Sequence, residues 1–171
     1  QLKTIRSSWQ PTWEDLRRHL LPAHGRGLSA DANTAEWNDG NRRDSAIYDG
    51  TPLRALKTAA AGLQSGLTSP SRPWFALTVD SLDLRDSRDV RLWLSEVEDR
   101  MRTVFNRSNL YNCLHHLYLE LLAFGTSAIG VYESLENLLR VRPYTIGEYW
   151  LGCDADGRAD SIYTAYTMTA G

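Results

Sequence analysis

The feature that most constrains this chain is a change of period at Gly125. Before it, apolar residues recur three and four apart, which is the stripe of an amphipathic helix. After it they alternate, which is the mark of a half-buried strand. The first regime predicts helices over about 9–21, 51–67, 87–106 and 109–124. The second predicts strands over about 126–132, 138–142, 148–153 and 159–169. Helices first and antiparallel strands after give α+β, because a parallel α/β sheet would interleave the two.

Local signals support each helix. Ser8 can cap the first, Pro11 is tolerated in its first turn, and Trp13, Leu16 and Leu20 share a face until Pro22 stops it. Thr51-Pro52 opens the second with a cap and an early proline. Leu53, Leu56, Ala60, Leu63 and Leu67 form its apolar face, and Ala55, Ala59, Gly62 and Gly66 a small one. Each glycine costs about 1 kcal/mol relative to alanine, so close packing against that small face is expected. Ser87 caps the third, whose stripe is Val90, Trp93/Leu94, Val97, Met101 and Val104/Phe105, with Arg88, Arg91, Glu98 and Arg102 facing water. Ser108 or Asn109 caps the fourth, which is apolar over most of its circumference and is expected to be the most buried. Trp74 to Val79 alternates weakly and reads as a further strand. Asp154-Ala155-Asp156-Gly157 reads as the turn of a hairpin. Residues 23–50 form a long polar loop, of the kind that is functional or reaches another chain.

Composition removes several function classes. The chain has 171 residues and is 42% hydrophobic, too apolar for intrinsic disorder. Its longest apolar runs, such as Leu121 to Phe124, fall far short of the ~20 residues of a membrane helix, and no signal peptide is visible. A net charge of -2 argues against a nucleic-acid binder held by bulk charge. Two cysteines, Cys113 and Cys153, make neither a disulfide framework nor a four-thiolate metal site, so a reduced compartment is the simpler expectation. Gln1 is not an initiator methionine, and a strand pattern runs almost to Gly171. The chain is therefore expected to be a piece of something longer.

Candidate chemistry is sparse. His115 and His116 are adjacent on a helix and point about 100° apart, which does not suit one metal. His19 and His24 flank a helix end without a third ligand. Asp154, Asp156 and Asp160 lack the glycine position and bidentate glutamate of a calcium loop. No G-x-S-x-G, phosphate-loop or dinucleotide signature occurs. Cys113 sits on an apolar helix face, where a thiol is inert packing. Glu96/Glu98 and Asp154/Asp156 read as solvated faces, and Asn106-Arg107-Ser108 as a chance sequon. No catalytic, cofactor or metal residue is therefore assigned. Of the six tryptophans, Trp37 in the polar loop and Trp74 after Pro73 suit subunit contacts. The candidate interface set is Trp37, Arg42, Arg43, Arg72, Trp74 and Phe75.

Four blocks carry a resemblance. Ala60-Ala61-Gly62-Leu63-Gln64-Ser65-Gly66-Leu67-Thr68-Ser69-Pro70-Ser71-Arg72-Pro73-Trp74-Phe75 resembles a signature of the head-to-tail connector (portal) proteins of short-tailed, T7-like bacteriophages. Ser108-Asn109-Leu110-Tyr111 leads to Phe124-Gly125-Thr126-Ser127-Ala128 and an apolar strand, in the family's order. Pro143-Tyr144-Thr145-Ile146-Gly147-Glu148-Tyr149-Trp150 is similar to the family's Pro…Gly-Glu-Tyr-aromatic stretch. Asp156-Gly157-Arg158-Ala159-Asp160 follows, with Tyr163 and Met168-Thr169-Ala170. The family often has a basic residue where Thr164 stands.

The resemblance implies that residues 1–171 are the N-terminal part of a portal protein's wing region, with the stem and clip beyond 171. It implies a dodecameric ring at one capsid vertex of the virion, assembled in the host cytoplasm. The ring would conduct double-stranded DNA non-specifically during packaging and ejection. Its partners would be the major capsid protein, a tail adaptor and, through the missing regions, the terminase. No enzymatic activity, cofactor or membrane is implied. The competing expectation is a tail or capsid adaptor with no channel of its own.

Overall fold

The computed structural model describes residues 4, 6–24, 28 and 47–164. Helices α1 (Gln10–His19), α2 (Thr51–Leu67), α3 (Leu82–Asp86), α4 (Arg88–Arg107) and α5 (Leu110–Phe124) precede strands β1 (Ala128–Ser134), β2 (Leu138–Tyr144), β3 (Tyr149–Cys153) and β4 (Ala159–Thr164). The strands form two antiparallel pairs, β1–β2 and β3–β4. The architecture is α+β, with the change of regime at Gly125. That glycine has φ +74° and its amide donates to Leu121 O at 2.9 Å, so it closes α5 in the left-handed conformation glycine adopts freely. The part of the expected last strand beyond Thr164 lies outside the described residues.

The chain divides into two compact units. The first comprises residues 1–58, 119–128 and 144–171. Its core is Leu21, Leu28, Ala123, Phe124, Ile146 and Tyr149, with Trp13, Leu16, Leu53, Leu56, Ala128 and Tyr144 packed on it. Burying each large apolar side chain stabilises by about 1.5–3 kcal/mol before entropy is counted. The β3–β4 register pairs Tyr149 with Thr164 and Leu151 with Ile162, then shifts between Gly152 and Cys153. Asp154 builds the turn: its Oδ1 accepts from the amides of Asp156 and Arg158 at 3.0 and 2.8 Å. Gly157 supplies φ +76°.

The second unit comprises residues 59–118 and 129–143. Leu110, Cys113 and Val141 are its buried cluster, with Phe105, Leu114, Ile129 and Leu139 against them. Asn109 joins α5 to β2. Its side-chain amide donates to Val141 O at 2.6 Å, and its Oδ1 accepts from Val141 N at 2.9 Å, so the amide behaves as a short length of neighbouring strand.

Several expectations are corrected. No strand forms at 74–79; the Glu98 carboxylate takes the Leu77 amide at 2.6 Å, the bond a ladder partner would have made. Glu98 is thus half-buried rather than on a water face, as is Arg102 beside Asp99. Helix α3 was not expected, because five residues are too few to show a period. Ser8 does not cap α1: Trp9 holds the cap position in a helical conformation, after turns that already bring the Trp9 amide to Arg6 O. Ser87 stands at the cap of α4 but makes no side-chain cap bond. At α2, Asp49 caps instead of Thr51, taking the Thr51 amide and hydroxyl at 2.9 and 2.8 Å. The small face of α2 is exposed, and a Cβ added at Gly62 or Gly66 would meet nothing within 4 Å. Trp93 leaves the stripe of α4 for solvent while its neighbour Leu94 turns inward. Helix α5 is the most buried, as its composition predicts.

Candidate functional site

The segment after α2 builds a compact aromatic corner within the second unit. Arg72 reaches back to Ser65 O at 2.6 Å, placing a cation at the carbonyl end of α2, where the helix dipole favours it. Ser69 and Ser71 share a 2.9 Å hydroxyl bond. These contacts aim Pro73-Trp74-Phe75 at α5 and the end of α4. The Trp74 indole donates to the Tyr111 hydroxyl at 3.2 Å. Its ring stands edge-on to Phe75 at 4.9 Å and stacks on Phe105 at 6.1 Å. Farther along, Gln64 bridges α2 to α5: its amide donates to Tyr111 O at 2.8 Å and its oxygen meets His115 Nδ1 at 3.1 Å. Gly66, Leu67, Ser69, Arg72, Pro73 and Trp74 line an open hollow of about 330 Å³.

Of the candidate interface residues, the structure therefore brings Arg72, Trp74 and Phe75 together. Arg72 and Trp74 are exposed, and Phe75 is half-buried. Trp37, Arg42 and Arg43 lie outside the described residues. Other apolar side chains on the surface of this unit escaped sequence reasoning. Leu82, Leu84, Leu92 and Trp93 stand exposed where α3 meets α4, and Leu135 and Leu138 stand exposed at the β1–β2 turn. One signal was legible: a leucine in a turn, as at Ser134-Leu135-Glu136-Asn137, has no core to enter.

Among the described residues, the most buried acidic or basic side chain sits in the first unit. Glu120, only 3% exposed, accepts from the Ile146 amide at 2.9 Å and the Thr145 hydroxyl at 2.5 Å, and pairs with His24 Nδ1 at 2.8 Å. These bonds tie the segment after α1 and the β2–β3 connection to α5. Arg6 lies over the Trp150 ring, 4.6 Å from its centre, and donates to Gly147 O and Tyr149 O. Burial lowers its pKa from the ordinary arginine value. Burial likewise raises the Cys113 thiol, which favours the unreactive protonated form. Among the described residues, no group of three or more His, Cys, Asp or Glu is placed to hold a metal ion, and no helix is long and apolar enough to cross a membrane. These contacts are internal anchors between segments of the same unit.

Comparison with known proteins identifies the family. The family of bacteriophage head to tail connecting proteins matches over residues 1–171, and the chain belongs to it. The probable portal protein of Bordetella phage BPP-1 is 38% identical over 169 residues, as is the portal protein of Salmonella phage epsilon15. Each alignment takes in 99% of this chain and 30% of the relative, so the chain spans about a third of their length.

Proposed function

We propose that this chain is part of a structural portal subunit, the wing region of a ring that connects the phage head to its tail. The observation that carries the reading is similarity to portal proteins over 99% of the chain. The absence of catalytic signatures in the sequence supports a scaffold role rather than an enzymatic one. In this reading about a dozen copies close a ring at one capsid vertex of the virion, assembled in the host cytoplasm. Double-stranded DNA passes through without being gripped, and a net charge of -2 suits such a conduit. The major capsid protein surrounds the ring and a tail adaptor docks on it. The terminase meets the stem and clip regions, which lie outside residues 1–171. Arg72, Trp74 and Phe75, together with Trp37, Arg42 and Arg43, are the proposed contacts to neighbouring subunits.

Native mass spectrometry of the full-length gene product tests this reading. A closed oligomer of about a dozen copies with an open centre in electron micrographs is the expected result. A stable monomer would overturn it and favour an adaptor.

A further inference from the structure

We propose that the open edge of the segment Trp74 to Val79 receives a β-strand from the part of the same subunit that lies outside residues 1–171. This inference rests on the portal reading above, in which the subunit continues outside this chain. No turn or bend interrupts residues 73–79, and burial alternates along them. Phe75, Leu77 and Val79 are half-buried, while Trp74, Ala76 and Thr78 are exposed. That period of two belongs to an extended chain with one face on a core. In such a chain the N–H and C=O of one residue point to the same side, and successive residues point to opposite sides. The side of the odd-numbered residues is closed by side chains. Glu98 takes the Leu77 amide at 2.6 Å, and Arg85 donates to Val79 O at 3.3 Å. Pro73, which has no N–H, falls on that side too. The N–H and C=O of Ala76 and Thr78 point to the other side, where no described residue bonds them.

The open side has the composition of a sheet interior. Trp74 to Val79 contains no charge, proline or glycine and is rich in aromatic and β-branched residues. Edges that stay exposed carry charges, prolines or bulges, because an uncharged free edge recruits strands from other copies. Elsewhere in this unit such groups are closed within the copy, as Glu98 and Arg85 do here and Asn109 does for Val141. The same demand applies to the open side, and it applies before copies meet. An edge left open until ring closure would pair free subunits at random, which selects the subunit's own chain over a second copy. The few backbone bonds that Ala76 and Thr78 offer also suit a tethered strand, which meets the edge at an effective concentration on the order of millimolar. A separate molecule must in addition offset its lost translation and tumbling. The portal relatives have chain to supply it, since this chain spans 30% of their length.

Hydrogen exchange on the full-length gene product, resolved to single amides, tests the pairing. The Leu77 amide, held by Glu98, is the internal reference. The Ala76 and Thr78 amides are expected to exchange at least about a hundredfold more slowly than in the unfolded chain. Protection at Leu77 with free exchange at Ala76 and Thr78 would overturn the proposal. The source of the strand is read by replacing Thr78 with the photo-cross-linker p-benzoylphenylalanine in rings assembled from isotopically light and heavy full-length chains. The expected product joins the peptide carrying position 78 to one from outside residues 1–171, both of the same isotope. Mixed-isotope products would assign the strand to a second copy, and a partner peptide within residues 1–171 would assign it to this chain; either overturns the proposal. Native mass on the same sample keeps the two readings apart. A ring with free exchange at Ala76 and Thr78 leaves the portal reading standing, while a stable monomer with both amides protected overturns the portal reading alone.

Discussion

Truncating Glu120 would leave donors from Ile146, Thr145 and His24 facing a void inside the first unit. A donor left unsatisfied in the interior costs about 1–3 kcal/mol, so Glu120→Ala is expected to lower unfolding stability by about 3 kcal/mol or more. Glu120→Gln keeps one acceptor oxygen and should lose about half as much; urea midpoints of the two variants decide. Tyr149 gives a pH test. Burial raises its phenol above the ordinary value, a raising assisted by the Glu120 charge and opposed by the bond with Thr126. The unfolded chain releases that proton first, near pH 10, while the folded chain keeps it. Stability should therefore fall as pH rises from about 10, and Tyr149→Phe should flatten that alkaline limb in urea titrations. Neither role was read from the sequence. Glu120 was hidden in the apolar run Leu117 to Phe124, although a lone acid between Leu119 and Leu121 is the pattern that a buried, fully bonded carboxylate leaves.

At the scale of elements, periodicity carried α2, α4 and α5 to within a residue or two, because each runs for several turns. It could not resolve Trp93 from Leu94, which differ by about 100° around the helix and are equally apolar. It also mistook Trp74 to Val79 for a strand, since the bond that decides the matter comes from Glu98, 21 residues away from Leu77. The signature loop was legible as a cluster, but the bond from Trp74 to Tyr111 was not, because it spans 37 positions. Gly125 shows what a legible residue is worth. Gly125→Ala keeps the termination of α5 but must hold φ +74° with a Cβ, at a cost of about 1–2 kcal/mol, readable as a fall in the thermal midpoint of several degrees.

For the whole molecule, sequence and structure agree on α+β and on the order of helices and strand pairs. The division into two units was not legible, because α2 and α5 each contribute to both and no linker composition marks the boundary. A chain of net charge -2 should not retain duplex DNA by counterion release. At about 150 mM salt, micromolar amounts of the chain are expected to leave the electrophoretic mobility of duplex DNA unchanged. A salt-sensitive shift would show that the conduit grips what it is proposed to let slide.

Asn109 bears on a hazard that any two-stranded pair carries. The backbone N–H and C=O of one residue in an antiparallel pair point to the same side. Both of those groups on Val141 are taken by the Asn109 amide, so that side of β2 is the one turned away from β1. A foreign strand arriving there would find the middle rung already filled. Wherever copies meet at high concentration, this closes one of the two edges along which the β1–β2 pair could recruit its neighbours into unintended sheets.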